Sequence, residues 1–198
     1  MVRGITVRGL VFSAMFTALV SVSSLFNISL GFTTVPISLE NLMVMLAGAV
    51  LGPLYGLLSM LLLVALVALG LPLLHGAGGM PLLLGYTGGF VWMYPAAAWF
   101  IGFATQRIKG KSVLSFIATF VVLEVGGSLL LYVTGVPWAA HVLHWGLGKA
   151  LALGCYPYLP GDAVKAFLAA WIVLPVRQVW PVARIVGRTQ SPQTRTDY

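Results

Sequence analysis

Asp162 and Lys165 stand three residues apart in PYLPGDAVKAFLAAW, residues 157–171, at the mouth of an otherwise apolar run. On a helix that spacing puts both side chains on one face. Asp162 falls in the first turn after Pro160-Gly161, where the helix dipole favours a carboxylate and where a plain N-terminal cap would account for it. Lys165 lies one turn deeper, in the apolar zone. Ionisable groups there are costly and face a cavity or a partner. The competing reading is an intrahelical ion pair near an interface, with the lysine reaching outward.

The remaining ionisable residues carry less. Glu124 sits mid-way along VVLEVGGSLLLY beside Gly126 and Gly127, which admit a close helix neighbour. A buried structural hydrogen bond is the favoured reading, with a ligand or coupling role as the alternative. Glu40 opens an apolar run after TVPIS, as a helix N-terminal carboxylate does, and could also line a site. His141 and His144 have a spacing that metal ligands use, yet no Cys, Asp or Glu is near enough in sequence to complete a set, so no metal is expected. The one cysteine, Cys155, excludes an internal disulfide and reads as a small membrane-buried residue. No Ser-His-Asp set, phosphate loop or paired catalytic carboxylates can be assembled, and GAGGM and TGGF lack the strand and helix context of a nucleotide fingerprint. With no ATP-binding motif and no proton relay, the chain reads as a binder in need of a partner, without a cofactor.

The elements that must hold these residues follow from composition. Of 198 residues, 60% are hydrophobic and 8% charged. Soluble domains carry about 25% charged residues, so the class is an all-α integral membrane protein. A membrane β-barrel would show alternation in segments of about ten residues, and these runs do not alternate. Six spans are read, at roughly Val7 to Phe26, Leu39 to Leu51, Leu54 to Leu69, Gly88 to Thr105, Val113 to Val133, and Pro160 or Gly161 to Val179. Gly52-Pro53 reads as a tight turn between the second and third. WAAHVLHWGLGKALALGCYPY is broken by glycines and reads as a short or re-entrant helix. The first run could pass for a signal peptide, but its length and the spans that follow favour an uncleaved helix.

The net charge of +7 does not point to nucleic acid, because the basic residues cluster between apolar runs. With six spans, Arg3, Arg8, Arg107, Lys109, Lys111, Arg177, Arg184, Arg188 and Arg195 share one side, against Lys149 and Lys165 on the other. The positive-inside rule then puts both termini in the cytoplasm. The chain is expected to be a single membrane domain over 1–198, with tails at 1–6 and 186–198. The outer segments, NISLGFTTVPIS, GLPLLHGAGGMPLLLGYTGG and Thr134 to Pro160, are rich in Gly, Pro, Thr and aromatics, and suggest a binding site on the outer face. On the first span, Ala14 and Ala18 form an Ala-x-x-x-Ala that lets another helix approach, with Ser13, Thr17 and Ser21 adding small residues.

Five stretches, in order, carry a resemblance: VPISLENLMVMLAGAVLGPLYGLLS (35–59), GLPLLHGAGG (70–79), TGGF (87–90), YVTGVPW (132–138) and KALALGCYPYLPGDAVKAFLAA (149–170). The chain resembles the BioY family, the biotin-specific substrate-binding (S) components of energy-coupling factor transporters. That resemblance implies a six-helix S-component fold in a bacterial cytoplasmic membrane. It implies capture of external biotin, and as partners a transmembrane scaffold and two cytoplasmic ATPases, with room for a homo-oligomer. It also implies that Ala14 and Ala18 contact the scaffold, and that Asp162 and Lys165 contact the ligand. Glu40, Gly85, Tyr86, Thr87 and Trp138 are the further expected ligand contacts. Lys165 would meet either the ureido oxygen or the valerate carboxylate. The sequence departs from the family at Glu40, where Gln is usual, at Tyr86, where Pro is frequent before TGG, and at Tyr94-Pro95, where Gly-Phe is frequent; Pro95 is expected to kink or interrupt the fourth span. An S component for another vitamin and a small intramembrane enzyme using Glu124 or Asp162 are the rival readings.

Overall fold

The computed structural model describes residues 5–28, 37–108, 110 and 112–187. Arg3, Lys109, Lys111, Arg188 and Arg195, and residues 29–36 of the first outer segment, lie outside the described residues. Thr6 caps the first helix, α1 (Val7–Ser24), by accepting the Gly9 N–H at 3.1 Å. A two-residue antiparallel pair follows, β1 (Asn27–Ile28) with β2 (Ile37–Ser38). Next come α2 (Glu40–Ala68), α3 (Met80–Leu84), α4 (Gly88–Thr105), α5 (Val113–Glu124), a π-helical turn over Val125–Leu129, α6 (Leu130–Val142), α7 (Leu147–Gly154), α8 (Leu159–Val179) and a short α9 (Val182–Ile185).

The α2 stretch is two helical arms joined at Gly52, whose φ of +80° and ψ of −179° leave the helical region, with Pro53 starting the second arm. Only glycine adopts such a backbone cheaply. The arms fold back on each other: a Cβ at Gly56 would lie 2.9 Å from the Gly48 Cα. A Cβ at Gly48 would lie 2.5 Å from the Ala98 carbonyl oxygen, so small residues also set the approach of α4.

One face of α1 is polar and turned inward. The Ser13 hydroxyl donates to the Tyr55 carbonyl at 3.0 Å and Thr17 to the Ser59 carbonyl at 2.8 Å, while Ser59 returns a bond to the Ser13 carbonyl at 2.9 Å. These buried hydroxyls satisfy themselves on carbonyls, as an apolar interior requires. Near the other end of the described chain, the Thr6 hydroxyl donates to the Val186 carbonyl, and the Thr6 N–H to the Tyr55 hydroxyl at 2.8 Å.

Two expectations are corrected. α4 runs through Pro95 without a break. Its contact with the first arm of α2 runs from Tyr94 on Glu40 to Gly102 on Gly52, so packing on both sides of Pro95 keeps the helix uninterrupted despite the missing N–H. The fifth run does not stop at Val133. The helix continues through TGVPW to Val142. Thr134 donates to the Gly89 carbonyl at 3.0 Å and Gly135 packs against the Phe90 ring, so contact with α4 overrides turn-like composition.

Among the described residues, four helical stretches are long and apolar enough to cross a membrane: Val7–Ser24, Glu40–Ala68, Val113–Val142 and Leu159–Val179. Their outward faces stay apolar. Val113, Leu114, Ile117 and Val121 are exposed on α5, and Val164, Phe167, Leu168 and Trp171 on α8. Such continuous bands would be untenable in water and suit lipid.

Candidate ligand-binding cavity

The start of α8 and the first residues of α2 meet at one end of the bundle, beside α6. Leu159 and Pro160 begin α8, and the Asp162 N–H completes its first turn on the Tyr158 carbonyl at 2.9 Å. The backbone is thus satisfied without the Asp162 carboxylate, which turns inward. Its Oδ1 accepts from Asn41 Nδ2 at 2.9 Å and from Lys165 Nζ at 3.0 Å; its Oδ2 accepts from the Tyr132 hydroxyl. Lys165 Nζ also donates to Asn41 Oδ1 at 3.0 Å. Asp162 and Lys165 are 4% and 8% exposed, so the pair is neither a surface cap nor an outward-reaching lysine. A buried pair at this depth persists only when its remaining valences are met, and Asn41 and Tyr132 meet them.

A second polar group lies on the same cavity. Glu40, the first residue of α2, is 3% exposed. Its Oε2 accepts from the Tyr94 hydroxyl at 2.7 Å, and its Oε1 is 3.0 Å from His75 Nε2. His75 Nδ1 is 2.9 Å from the Ser24 carbonyl oxygen. The carboxylate beside it, with a smaller push from the Ser24 carbonyl, raises the His75 pKa above the ordinary imidazole value against the opposing effect of burial.

The cavity holds about 740 Å³ counting its open mouth. Leu74, Leu82, Phe90, Val91 and Leu131 supply apolar wall between the two polar groups, and Thr87, Ser128 and Tyr158 add hydroxyls. The π turn explains how Ser128 reaches the wall: Gly126 and Gly127 within it pack against Ile101 and Met45, and the extra residue per turn re-aims the next side chain.

Of the sequence-read candidates, the fold gathers Asp162, Lys165, Glu40 and Thr87 on this wall. Gly85, Tyr86 and Trp138 stand beside it. The Trp138 indole N–H donates to the Gly85 carbonyl at 2.8 Å and its ring abuts Gly89, tying the turn before α4 to α6. Glu124 is partly buried and accepts a long 3.4 Å bond from Ser128, one turn on. His141 and His144 are exposed at the end of α6, and among the described residues no three metal-ligating side chains converge. Ala14 and Ala18 are exposed on the outward face of α1, opposite Ser13 and Thr17.

A family model, that of the BioY family, matches residues 1–182. The chain belongs to the BioY family. It is 39% identical over 167 residues to the probable biotin transporter BioY of Bacillus subtilis, covering 83% of this chain and 88% of that one. It is 36% identical over 180 residues to the biotin transporter BioY of Rhizobium etli, covering 88% and 96%. Among solved structures, the S-component for biotin from an ECF-type ABC transporter, a crystal structure at 2.1 Å, superposes with a TM-score of 0.79 at 32% identity, over 87% of this chain and 92% of that one.

For a BioY chain, two of the departures noted from the sequence prove to be partners: Tyr94 bonds Glu40. Sequence reading missed Asn41, His75, Tyr94 and Tyr132 as members of the polar groups. Asn41 and Tyr132 had a usable signal, since each is a polar residue embedded in an apolar helix. His75 had none, because a histidine in a Gly- and Pro-rich loop looks like any exposed loop residue.

Proposed function

We propose that the chain is the biotin-binding substrate-specificity subunit of an energy-coupling factor uptake system, capturing external biotin in the cavity between α2, α4, α6 and α8. One observation carries the reading: a hydrogen-bonded Asp162–Lys165–Asn41–Tyr132 cluster, with donor capacity left on Lys165 and Asn41, opens onto an apolar-walled cavity. Biotin has matching parts. Its ureido ring offers two N–H donors and a carbonyl acceptor; its bicycle and chain are apolar; its valerate ends in a carboxylate. Asp162 accepts ureido N–H bonds, and Asn41 and Lys165 donate to the ureido oxygen or the valerate. Glu40 and Thr87 complete the polar lining, and Gly85, Tyr86 and Trp138 shape its edge. The names of the relatives support this substrate.

The arrangement we propose has six membrane passes, with Gly52 turning the chain between the second and third, and both termini cytoplasmic in a bacterial cell membrane. Two observations support it: nine of the eleven basic residues fall on one side of six passes, and Thr6 bonds Val186. Transport then draws on a transmembrane scaffold and two cytoplasmic ATPases. Ala14 and Ala18, exposed on α1 while Ser13 and Thr17 serve the interior, are the proposed scaffold contact.

Titration calorimetry of the purified chain with biotin tests the substrate, and tight one-to-one binding is expected. No binding by a folded sample would reject biotin and call for a panel of other vitamins. Ala14→Trp is expected to abolish ATP-dependent uptake in cells that supply the coupling module, with biotin affinity intact. Loss of affinity would place that face in internal packing instead.

A further inference from the structure

Glu40 is the buried carboxylate of the cavity that has no lysine. Its Oε1 faces His75 Nε2, 3.0 Å away, and among the described residues no other side chain is close enough to pair with it. The loop bearing His75 is held in a strained shape. His75 has φ +53° and Gly76 φ +71°, and Leu74 and Ala77 bridge across the turn. Ser21 and Ser24 of α1 donate to the Leu73 carbonyl at 2.8 and 3.1 Å, and the His75 N–H donates to the Ser24 hydroxyl at 3.0 Å. A bulky residue in the left-handed region persists only when its surroundings fix it.

Both ring nitrogens of His75 face oxygens: Nδ1 a carbonyl and Nε2 a carboxylate. A carbonyl only accepts, so Nδ1 carries a hydrogen. An unprotonated Nε2 would set its lone pair against the carboxylate. With Glu40 ionised, the geometry calls for the imidazolium. Charge balance agrees. With His75 protonated, the cavity wall holds two carboxylates, Glu40 and Asp162, against two cations, Lys165 and His75. Without that proton the wall is net negative and Glu40 is a buried, uncompensated charge.

We propose that His75 is a proton-dependent positioning residue: as an imidazolium it locks the loop of residues 70–79 onto Glu40 and keeps the cavity electrically balanced, so that capture of a small monocarboxylate is coupled to the proton on His75. The choice of biotin as that ligand rests on the function proposed above. Among the described residues, His75 faces Glu40 from α2, Tyr94 from α4 through Glu40, and Ser24 from α1, which does not titrate; Asp162 and Lys165 of α8 and Tyr132 of α6 share the cavity. The sign follows from the raised His75 pKa. Its stabilisation is complete below the ordinary imidazole value, about 6.5, and is lost as pH rises through the folded value.

Two readouts test this on the full-length protein between about pH 5.5 and about pH 9.5, the range that brackets an imidazole. Biotin affinity by calorimetry is expected to fall on the order of tenfold as pH rises, the effect of about a one-unit difference in the His75 pKa between bound and free states. The melting temperature of the ligand-free chain is expected to fall over the same interval. His75→Gln flattens both profiles. Glu40→Gln, a second variant should the first fail to fold, shifts the fall to lower pH, because the histidine loses its anion. Biotin amide, uncharged at its tail, gives a shallower fall than biotin. A flat wild-type melting profile, or an unchanged fall in either variant, overturns the proposal. Absence of biotin binding at every pH, with the His75-dependent melting profile intact, removes the substrate and keeps the clamp.

Discussion

Asp162 and Lys165 come from one turn of α8, whereas Glu40, His75 and Tyr94 come from a helix start, a loop and a helix middle. The first cluster is pre-organised by the helix itself. Spacing alone brings the two charges to 3.0 Å, and two neutral donors from α2 and α6 complete the shell. The second exists only after α2, α4 and the loop of residues 70–79 have packed. A ligand anchor needs a fixed position, which the helix provides. A clamp needs an element that can let go, and a loop whose contact with Glu40 runs through one imidazole provides that. On the function and the clamp proposed above, the two clusters divide these tasks within one cavity.

The largest effect should come from removing the anchor. Asp162→Ala strips Lys165 of its counter-charge and leaves the Asn41 amide and the Tyr132 hydroxyl without their acceptor. Breaking a buried pair in this way costs about 3–5 kcal/mol. Biotin affinity is expected to drop more than about 100-fold, at about 1.4 kcal/mol per tenfold, with a lower melting temperature in detergent. Near wild-type calorimetry would show that the anchor lies in the other cluster and reverse the comparison.

Tyr132→Phe is milder. It keeps the ring, whose edge meets Phe90 with centroids 6.1 Å apart, and removes one donor to Asp162 Oδ2. A hydrogen bond to a charged group contributes about 1.5–3 kcal/mol, so a loss of biotin affinity between about 10-fold and about 100-fold is expected, at about 1.4 kcal/mol per tenfold. Competition binding with labelled biotin would resolve it. An effect as large as that of Asp162→Ala would mean that the hydroxyl touches the ligand directly.

The same contrast explains what could be read from the chain before folding. Asp162 and Lys165 are visible because helical periodicity turns a spacing of three into a contact. The turn at Gly52-Pro53 is visible because those two residues stop helices by their own chemistry. The π turn beside Glu124 is not, since Gly126-Gly127 reads equally well as a smooth packing face. The extension of α6 to Val142 is hidden for a related reason: TGVPW has turn-like composition, and only the contact with Gly89 and Phe90 makes it helical. The Glu40–His75–Tyr94 cluster escapes altogether, because nothing local links those positions. What the sequence did offer was two departures from the family pattern, Glu40 and Tyr94, whose partnership appears only in three dimensions.

The smallest effect tests whether the clusters are separate at all. Tyr94→Phe removes the donor to Glu40 Oε2 and leaves the ring buried where it is. Glu40 still has His75, so the loss in stability is expected at the low end for a bond to a charged group, about 1.5 kcal/mol, and the loss in biotin affinity less than about threefold, under about 0.7 kcal/mol. The pairing of this change with Tyr132→Phe is more informative than either alone. Glu40 and Asn41 are neighbours on α2, so the clusters share a backbone. If that backbone is rigid, the two effects on biotin binding add to within about 0.5 kcal/mol. A larger coupling energy would mean that the start of α2 shifts when either cluster is weakened. The cavity would then respond as one unit, and releasing the His75 clamp would be felt directly at the Asp162 anchor.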